Sequence, residues 1–465
     1  MISGMISGLI WTSLDTWIVV AAAMAGVSSA LVGSFLVLKK MSMMGDAISH
    51  AVLPGIALAF IITGSHAGGT MFIGAAVIGV VTAILVEAVR RYGRLEHGAA
   101  MGVVFTILFA IGLILLEQAA HHVDIHPEHV LFGAVELVPL TVVRIGRFDV
   151  PRGVLVLSLV TFLNIAVVTV LFKELKVATF DPALATTLGI NANAMHFLVM
   201  ILVAMTTVAA FDVVGSILVI AMLIVPGATA HLVTRRLVPF LCVAVALAIL
   251  AAAAGHVVAI TVPPLFGFED TSTAGSMAVV LGAFFFLAFL FAPETGVIAR
   301  VGNRVRLVFT VATQDVLGLL ARARERGLNR ERGLNADDGV ETGVIDARGR
   351  AGLSARGLRS VARSPFAARS VVLRVALVLL IARRLVARRA GGFVLTERGD
   401  REAQRVLRSH RLWERYFFED ARVSRAELHT AADFLEHYTD EQLSDELEDR
   451  IVGPRTDPEG RPIPE

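Results

Sequence analysis

Residues 39–60 read KKMSMMGDAISHAVLPGIALAF and place Asp46 and His50 inside a long hydrophobic segment. If this segment is helical, the i,i+4 spacing brings carboxylate and imidazole onto one face, one turn apart. An ionisable pair at membrane depth requires a partner such as a cation, another protein group or water. Carboxylate oxygen and imidazole nitrogen suit a divalent first-row metal, and two such pairs would supply four ligands. A neutral Asp–His hydrogen bond that stabilises a bundle is the alternative, and spacing alone does not separate the two.

The composition indicates a membrane region followed by a water-soluble region. Of 465 residues, 55% are hydrophobic, and the mean hydropathy of +0.72 is too high for an ordinary soluble domain. Charged residues are sparse up to about Ala299 and dense beyond it, although the formal net charge is only +2. The single cysteine, Cys242, excludes an intrachain disulfide and a thiolate zinc site within one chain.

Apolar runs long enough to cross a bilayer as helices recur through the first 300 residues. They lie at about 17–38, 48–63, 71–89, 98–117, 153–172, 194–210, 215–233, 238–260 and 274–292. Their length and helical periodicity argue against a β-barrel. The sequence therefore predicts an all-α fold: a polytopic membrane bundle of eight or nine spans with a helical domain at the C-terminus.

Basic residues at alternate connections orient this bundle, because the positive-inside rule assigns such connections to the cytoplasm. They are Lys39, Lys40, Arg90, Arg91, Arg94, Lys173, Lys176, Arg235, Arg236 and Arg300. Nine spans then leave the N-terminus outside and the C-terminal domain in the cytoplasm. Arg144, Arg147 and Arg152 do not fit the alternation, and we expect a short non-spanning helix there on the outer side. No basic region of a secretory signal precedes the first apolar run, which is predicted to be a retained span.

The outer connection at 117–129, EQAAHHVDIHPEH, concentrates metal-ligating residue types. They are His121, His122, His126, His129, Asp124 and Glu128. A metal-collecting surface or a docking surface for a binding protein is one interpretation. A solvated polar loop is the interpretation we favour.

On the inner side, the segment 180–189 reads FDPALATTLG. It predicts a short helix with Asp181 as N-cap, Pro182 at the first helical position and Gly189 as the stop. Local chemistry alone describes a capped surface helix.

Residues 44–55, MGDAISHAVLPG, resemble the signature of the manganese/zinc/iron permease family of ABC importers. Segments 131–133, 180–189, 214–231 and 272–296 resemble further parts of that family in the same order, so the similarity covers roughly residues 15–300. The resemblance implies that Asp46 and His50 line a cation path between two facing protomers. It also implies an extracytoplasmic metal-binding protein, a bacterial cytoplasmic membrane location and a coupling helix that fits a cleft of the ATPase subunit. The coupling residues would be Asp181, Pro182, Leu184, Ala185 and Gly189.

The chain contains no Gly-Lys dipeptide, hence no Walker A loop to hold nucleotide phosphates. The sequence therefore predicts a non-enzymatic permease domain (1–300) that depends on a separate ATP-binding-cassette ATPase.

The tail is predicted to begin with an irregular, arginine-rich linker at 301–355, with a helix at 313–325. The apolar stretch Val371–Val386 contains Arg374, Arg383 and Arg384, which make it too charged for a span, so it is predicted to be a buried helix of a small domain.

Residues 406–465 carry a second set of candidate ligands. On a helix, His429, Asp433, Glu436 and His437 would share one face. His410 and Glu414 add an i,i+4 pair, giving six oxygen or nitrogen donors that suit a hard or borderline cation. A salt-bridged surface helix is the alternative.

Four segments of this region resemble the metal-binding and dimerisation domain of iron-dependent, diphtheria-toxin-repressor-like regulators. They are LTERG (395–399), SHRLWERY (409–416), LHTAADFLEH (428–437) and DPEGRPIP (457–464). The resemblance implies that the six donors are metal ligands. Asp433 falls where iron-type members carry cysteine and manganese-type members a carboxylate, which favours manganese or iron over a thiophilic metal. Residues 356–405 would be a degenerate winged-helix-like segment, and nucleic-acid binding is not expected.

These observations predict the permease subunit of an ATP-driven importer of divalent metal (manganese, zinc or iron), working as a homodimer or heterodimer. The fused tail would sense metal and regulate transport. One alternative is a membrane-tethered, metal-dependent transcriptional regulator, in which residues 301–465 would bind an operator. Another is a secondary transporter that works without nucleotide.

Overall fold

The computed structural model describes residues 11–64, 68–120, 135–145, 148–268, 271–331, 343–345, 351–354, 370–389, 392–419, 431–433, 435–451 and 455–464. Its contacts divide the chain into Met1–Ala299, here the membrane unit, and Arg300–Glu465, here the C-terminal unit.

The membrane unit begins with four apolar helices. They are α1 (Ser13–Leu38), α2 (Met44–Thr63), α3 (Gly68–Gly93) and α4 (His97–Ala120). A capping box fixes the start of α1, because the Thr12 amide donates to Asp15 Oδ2 (2.7 Å) and the Asp15 amide donates to the Thr12 hydroxyl (3.3 Å).

A 3-10 helix (Val135–Leu140) leads into an antiparallel hairpin of β1 (Val142–Ile145) and β2 (Phe148–Pro151). The short helix predicted around Arg144 is therefore wrong. The segment is rich in β-branched residues, which favour extended backbone. Arg144 Nε donates to Asp149 Oδ1 (3.2 Å) across the pair, so the basic residue that violated the charge pattern has a local acidic partner.

The remaining elements of the membrane unit alternate long spans with short helices. They are α5 (Arg152–Val170), α6 (Phe172–Phe180), α7 (Pro182–Thr187), α8 (Ala192–Val214), α9 (Ser216–Val233), α10 (Leu237–Thr261), a 3-10 turn (Pro263–Phe266) and α11 (Thr273–Phe291). Within the described residues, nine helices are long and apolar enough to cross a membrane. The predicted polytopic helical bundle is confirmed, with the upper of the two span counts.

Small residues let the central helices approach closely. At Gly33 on α1, an added Cβ would lie 1.9 Å from the Leu223 carbonyl oxygen on α9. At Gly45 on α2, it would lie 2.7 Å from the Leu223 side chain. The start of α2 is therefore held against the inside of the bundle.

The C-terminal unit combines helices with strands. In chain order its elements are α12 (Val297–Glu331), β3 (Gly343–Ile345), β4 (Ala351–Ser354), α13 (Ser370–Ala382), β5 (Val386–Arg389), β6 (Gly392–Leu395), α14 (Glu397–Glu419), a 3-10 turn (Glu436–Tyr438) and α15 (Glu441–Arg450). The strands form an antiparallel sheet of order β3-β4-β6-β5.

The helix predicted at 313–325 is confirmed as part of α12, but the irregular linker predicted around it is wrong up to Glu331, because the helix runs through these residues as well. Ala312, Val316 and Leu319 are buried at helical spacing, and the arginines that suggested a linker belong to a helix with one apolar face. The helix predicted within Val371–Val386 is confirmed as α13, where Leu373 and Leu380 are buried in the core of this unit.

Candidate metal sites

The first candidate site lies at the start of α2. This helix runs unbroken through both Asp46 and His50, so the two positions are one turn apart on one face. Asp46 is half-buried in the first turn, between the fully buried Met44 and Ile48. The side chain of His50 lies outside the described part of the structure, so the predicted pairing of its imidazole with Asp46 stays a prediction.

The predicted coupling segment forms α7, with each end fixed as its sequence indicated. Asp181 Oδ1 accepts from the amides of Ala183 (3.1 Å) and Leu184 (2.9 Å), and Pro182 is the first helical residue. At the other end, Gly189 has φ +80°. Its amide bonds to the Thr186 carbonyl (3.1 Å) and that of Ile190 to the Ala185 carbonyl (2.9 Å), a Schellman cap. Leu184 and Gly189 are exposed, as a docking surface requires, but contact with an ATPase stays a prediction.

The histidine-rich outer loop (His121, His122, His126, His129, Asp124 and Glu128) lies outside the described residues.

The second candidate site lies in the C-terminal unit and centres on the buried imidazole of His410. On α14, His410 Nε2 lies 3.1 Å from Glu414 Oε1, as the i,i+4 spacing predicted. Its Nδ1 faces two residues near the following 3-10 turn: Glu436 Oε2 at 2.7 Å and Asp433 Oδ1 at 3.4 Å. His410, Asp433 and Glu436 therefore present one ligand atom each within 4.8 Å of one another, and we call them the His410 group.

His410 carries opposing influences on its protonation. Burial disfavours the charged imidazole, but hydrogen bonds to Glu414 and Glu436 outweigh it, so the pKa of His410 is raised above its ordinary value. Metal binding through either nitrogen requires loss of that nitrogen's proton, so protons compete with a metal here.

A second group comprises Asp315, Glu436 and His437, again within 4.8 Å, and we call it the His437 group. His437 Nε2 lies 3.1 Å from Asp315 Oδ1, and its Nδ1 lies 2.9 Å from Gln314 Oε1. Because an amide oxygen only accepts, Nδ1 donates to Gln314, and Nε2 is the nitrogen that faces Asp315. A cation between the imidazole and the carboxylates would therefore bind through Nε2.

The predicted ligands of the C-terminal unit do not all lie on one helical face. Residues 431–433 and 435 are helical, but Glu436 and His437 belong to a 3-10 turn, so the single helical face predicted for this segment is interrupted. Glu436 consequently serves both groups. His429 lies outside the described residues.

Asp315 and Gln314 were missed by sequence reasoning. Both lie on α12, within the helix predicted at 313–325, which was not connected with the ligand set. A signal was present: Asp315 is a half-buried acid within the apolar pattern of Ala312, Val316 and Leu319. The donor atoms of both groups are carboxylate oxygen and imidazole nitrogen without sulfur, which fits manganese, iron or zinc.

Comparison with known proteins identifies two parts of the chain. Residues 13–292 match the ABC 3 transport family, and residues 396–465 match the iron dependent repressor, metal binding and dimerisation domain. The chain therefore belongs to the ABC 3 transport family, and it is a multi-pass membrane permease with a repressor-like C-terminal region. Both resemblances inferred from the sequence are confirmed.

Curated relatives carry different metals in their names. The chain is 43% identical over 289 residues to the manganese transport system membrane protein MntD of Bacillus subtilis, covering 62% of this chain and 95% of the relative. It is 35% identical over 283 residues to the zinc transport system membrane protein TroD of Treponema pallidum, covering 61% and 75%. It is 34% identical over 272 residues to the chelated iron transport system membrane protein YfeD of Yersinia pestis, covering 58% and 83%.

Among solved structures, PsaBC from Streptococcus pneumoniae in complex with Fab is similar to the chain. The sequence identity is 30%, the TM-score is 0.51, and the match covers 63% of this chain and 98% of that one. This match agrees with the permease fold of the membrane unit.

Proposed function

We propose that this chain is the permease subunit of an ATP-driven importer that moves manganese, zinc or iron ions into the cytoplasm. The observation that carries the proposal is the placement of Asp46 and His50 on one unbroken helix whose first turn is held inside the bundle, within a family whose relatives are named for these metals. Asp46 and His50 of two facing protomers would form a transient site, with four oxygen or nitrogen ligands for the passing ion.

The partners follow from the same proposal. A second permease protomer completes the path, an extracytoplasmic metal-binding protein delivers the ion, and a separate ATPase binds the exposed face of α7. The capped ends of α7 support this last role, because hydrogen bonds at both ends hold a short coupling helix together. The membrane is the bacterial cytoplasmic membrane, with the C-terminal unit on the cytoplasmic side.

We test transport by radiolabelled Mn²⁺ uptake into proteoliposomes that contain the chain, its second protomer and the ATPase. Asp46→Ala should reduce ATP-dependent uptake to the background of empty vesicles. Asp149→Ala, on the exposed hairpin, should leave uptake unchanged. Wild-type uptake by Asp46→Ala would contradict the site. Uptake that proceeds equally without nucleotide would favour a secondary transporter.

We further propose that the C-terminal unit senses metal and inhibits transport when cytoplasmic metal is abundant. The support is the pair of clusters centred on His410 and His437, both built from donors that fit these ions. Mn²⁺ placed on the cytoplasmic side should slow wild-type uptake and leave His437→Ala unaffected. An equal response of the two proteins would exclude regulation through this site.

DNA binding is the weaker alternative for this unit. The exposed positions of α13 are mostly apolar, as at Val371, Val375 and Val378, and Arg374 alone among residues 371–380 is an exposed side chain with hydrogen-bond donors for base edges.

A further inference from the structure

The positively charged side chain of Arg322 lies beside the His410 group. Arg322 lies on α12, and 19% of its side chain is exposed. Its Nη2 lies 3.6 Å from Asp433 Oδ1 and 3.9 Å from Glu436 Oε2. These are the same two oxygen atoms that face His410 Nδ1. The guanidinium therefore approaches the carboxylate atoms that a metal ion at this group would use.

Charge balance explains why a cation belongs there. The side chain of Glu436 is 3% exposed, and Asp433 is directed at the same imidazole nitrogen. A buried carboxylate and a half-buried one that converge on one point repel each other unless a positive charge lies between them. Without a metal, Arg322 supplies that charge together with His410.

The distances indicate that this arginine is held loosely. Strong charge-assisted N–H···O bonds are about 2.7–2.9 Å long, whereas the two contacts of Arg322 are 3.6 and 3.9 Å. By contrast, Arg411 in the same unit donates to Glu325 Oε2 at 2.6 Å and is 2% exposed. Arg411 is a fixed structural cation, while Arg322 has a partly open side and weak contacts.

The His437 group differs in this respect. Among the described residues, the ion pairs of Asp315 and His437 include no arginine or lysine, and Arg322 faces Oε2 of the shared Glu436 rather than the Oε1 atom nearest His437. A metal ion can therefore enter the His437 group without displacing a side-chain cation, whereas the His410 group already holds one.

We propose that Arg322 is an internal competitor for the metal of the His410 group, and that the ion binds there only by displacing the guanidinium. This inference rests on the metal-sensing function proposed above. The His437 group fills first, and the His410 group fills only at higher metal concentration, because removal of Arg322 from its carboxylates opposes binding. Arg322 thus sets the upper metal threshold of the unit and stabilises the metal-free form.

The test measures Mn²⁺ binding to the full chain in lipid nanodiscs, by the electron paramagnetic resonance signal of free Mn²⁺. All variants carry Asp46→Ala, so that the transport path contributes no binding. Arg322→Met keeps the apolar stem and removes the charge, and it should tighten the weaker binding step by about tenfold or more, since each unit charge close to the ion contributes strongly in a partly buried site. Arg322→Lys keeps the charge and should bind like the wild type.

Arg324→Met is the matched control, two residues away on the same helix, because Arg324 pairs with Asp400 rather than with either group. It should leave both binding steps unchanged. Unchanged or weaker binding in Arg322→Met, or a gain of the same size in Arg324→Met, would overturn the proposal, as would the absence of Mn²⁺ binding in every variant.

Two controls separate metal competition from misfolding of a variant and from failure of the proposed sensing function. Trp413 fluorescence, in chains that also carry Trp11→Phe and Trp17→Phe, reports whether each variant is folded, and Arg322→Gln provides a second neutral variant if Arg322→Met is not folded. Transport need not respond to metal for this test to succeed. Tighter binding in Arg322→Met together with metal-insensitive uptake would support the competition and refute the sensing function alone.

Discussion

The membrane unit and the C-terminal unit stabilise buried polar groups in different ways. In the membrane unit, such groups form small, separate sets. Asn164 Nδ2 donates to Ser28 and Thr206, at 2.7 Å each, and His256 pairs with Asp15 at 3.1 Å. In the C-terminal unit, acids and bases form a continuous network through both metal groups. In an apolar membrane, each buried polar side chain is satisfied by one or two groups that lie next to it. In a charge-rich domain, several elements contribute to one network of hydrogen bonds and ion pairs.

The largest expected loss of stability follows from removal of Arg411, a buried cation of this network. Arg411→Met removes the bonds to Glu325 and to the Pro462 carbonyl and should lower the free energy of unfolding of the C-terminal unit by about 4 kcal/mol. We would measure denaturant unfolding by Trp413 fluorescence in the full chain carrying Trp11→Phe and Trp17→Phe. The exposed pair of Arg450 and Glu446 gives the control, Arg450→Met, at about 0.5 kcal/mol or less. Equal losses would show that the network adds nothing to isolated pairs.

The next effect concerns steric packing in the membrane unit. Gly33→Ala forces α1 and α9 apart, because the three atoms nearest the new methyl group are all backbone atoms of Leu223, which cannot rotate away. We expect a loss of about 3 kcal/mol, at the upper end for overpacking, seen as lower thermal stability in size-exclusion chromatography. Gly282→Ala on α11 has open space around the added carbon and should not lower stability, since alanine favours a helix more than glycine does. If Gly33→Ala kept the wild-type stability, the contact between α1 and α9 would be less tightly packed than the structure shows.

A smaller effect is expected for a single polar set in the membrane unit. Asn164→Ala removes the two hydrogen bonds that connect α5 with α1 and α8, and should lower stability by about 1 kcal/mol. The same chromatographic assay applies. Thr169→Ala is the control, since the Thr169 hydroxyl donates only to carbonyls of its own helix. A loss as large as that of Arg411→Met would erase the contrast between the two units.

The smallest effect is a pH dependence of the metal-free C-terminal unit. Because the pKa of His410 is raised by its carboxylate partners against the effect of burial, the protonated form stabilises the fold. This contribution is fully present below the unfolded pKa of about 6.5 and is lost as the pH rises through the higher folded value. In chelator, the free energy of unfolding should fall over that range in the wild type, and His410→Gln should remove this component of the slope. An unchanged slope in the variant would assign the dependence to other groups.

The same contrast explains what the sequence could predict. Spans, the capped ends of α7 and the Asp46–His50 spacing are local in sequence, and each stands out against an apolar background. The His437 group is not local, since His437 and Gln314 are 123 residues apart. No sequence pattern near His437 indicates that Asp315 is its neighbour. The tail contains many acids and arginines, and only the folded structure shows which of them are in contact.

Two of the errors in secondary structure have a related cause. The helix predicted near Arg144 and the irregular linker predicted on both sides of the helix at 313–325 both rest on the charges of these segments. In each case the burial pattern of the apolar residues determined the structure: β-branched residues extended the hairpin, and Ala312, Val316 and Leu319 formed a buried helical face.

Glu436 has a further consequence for how a titration of this unit would look. Its Oε2 faces His410 at 2.7 Å, and its Oε1 lies 3.8 Å from His437 Nε2. A carboxylate has only one negative charge to share, so the first ion reduces what the second can receive, while also fixing the orientation of the shared group. The two equilibria are consequently linked, and the binding isotherm would deviate from a sum of two independent hyperbolas.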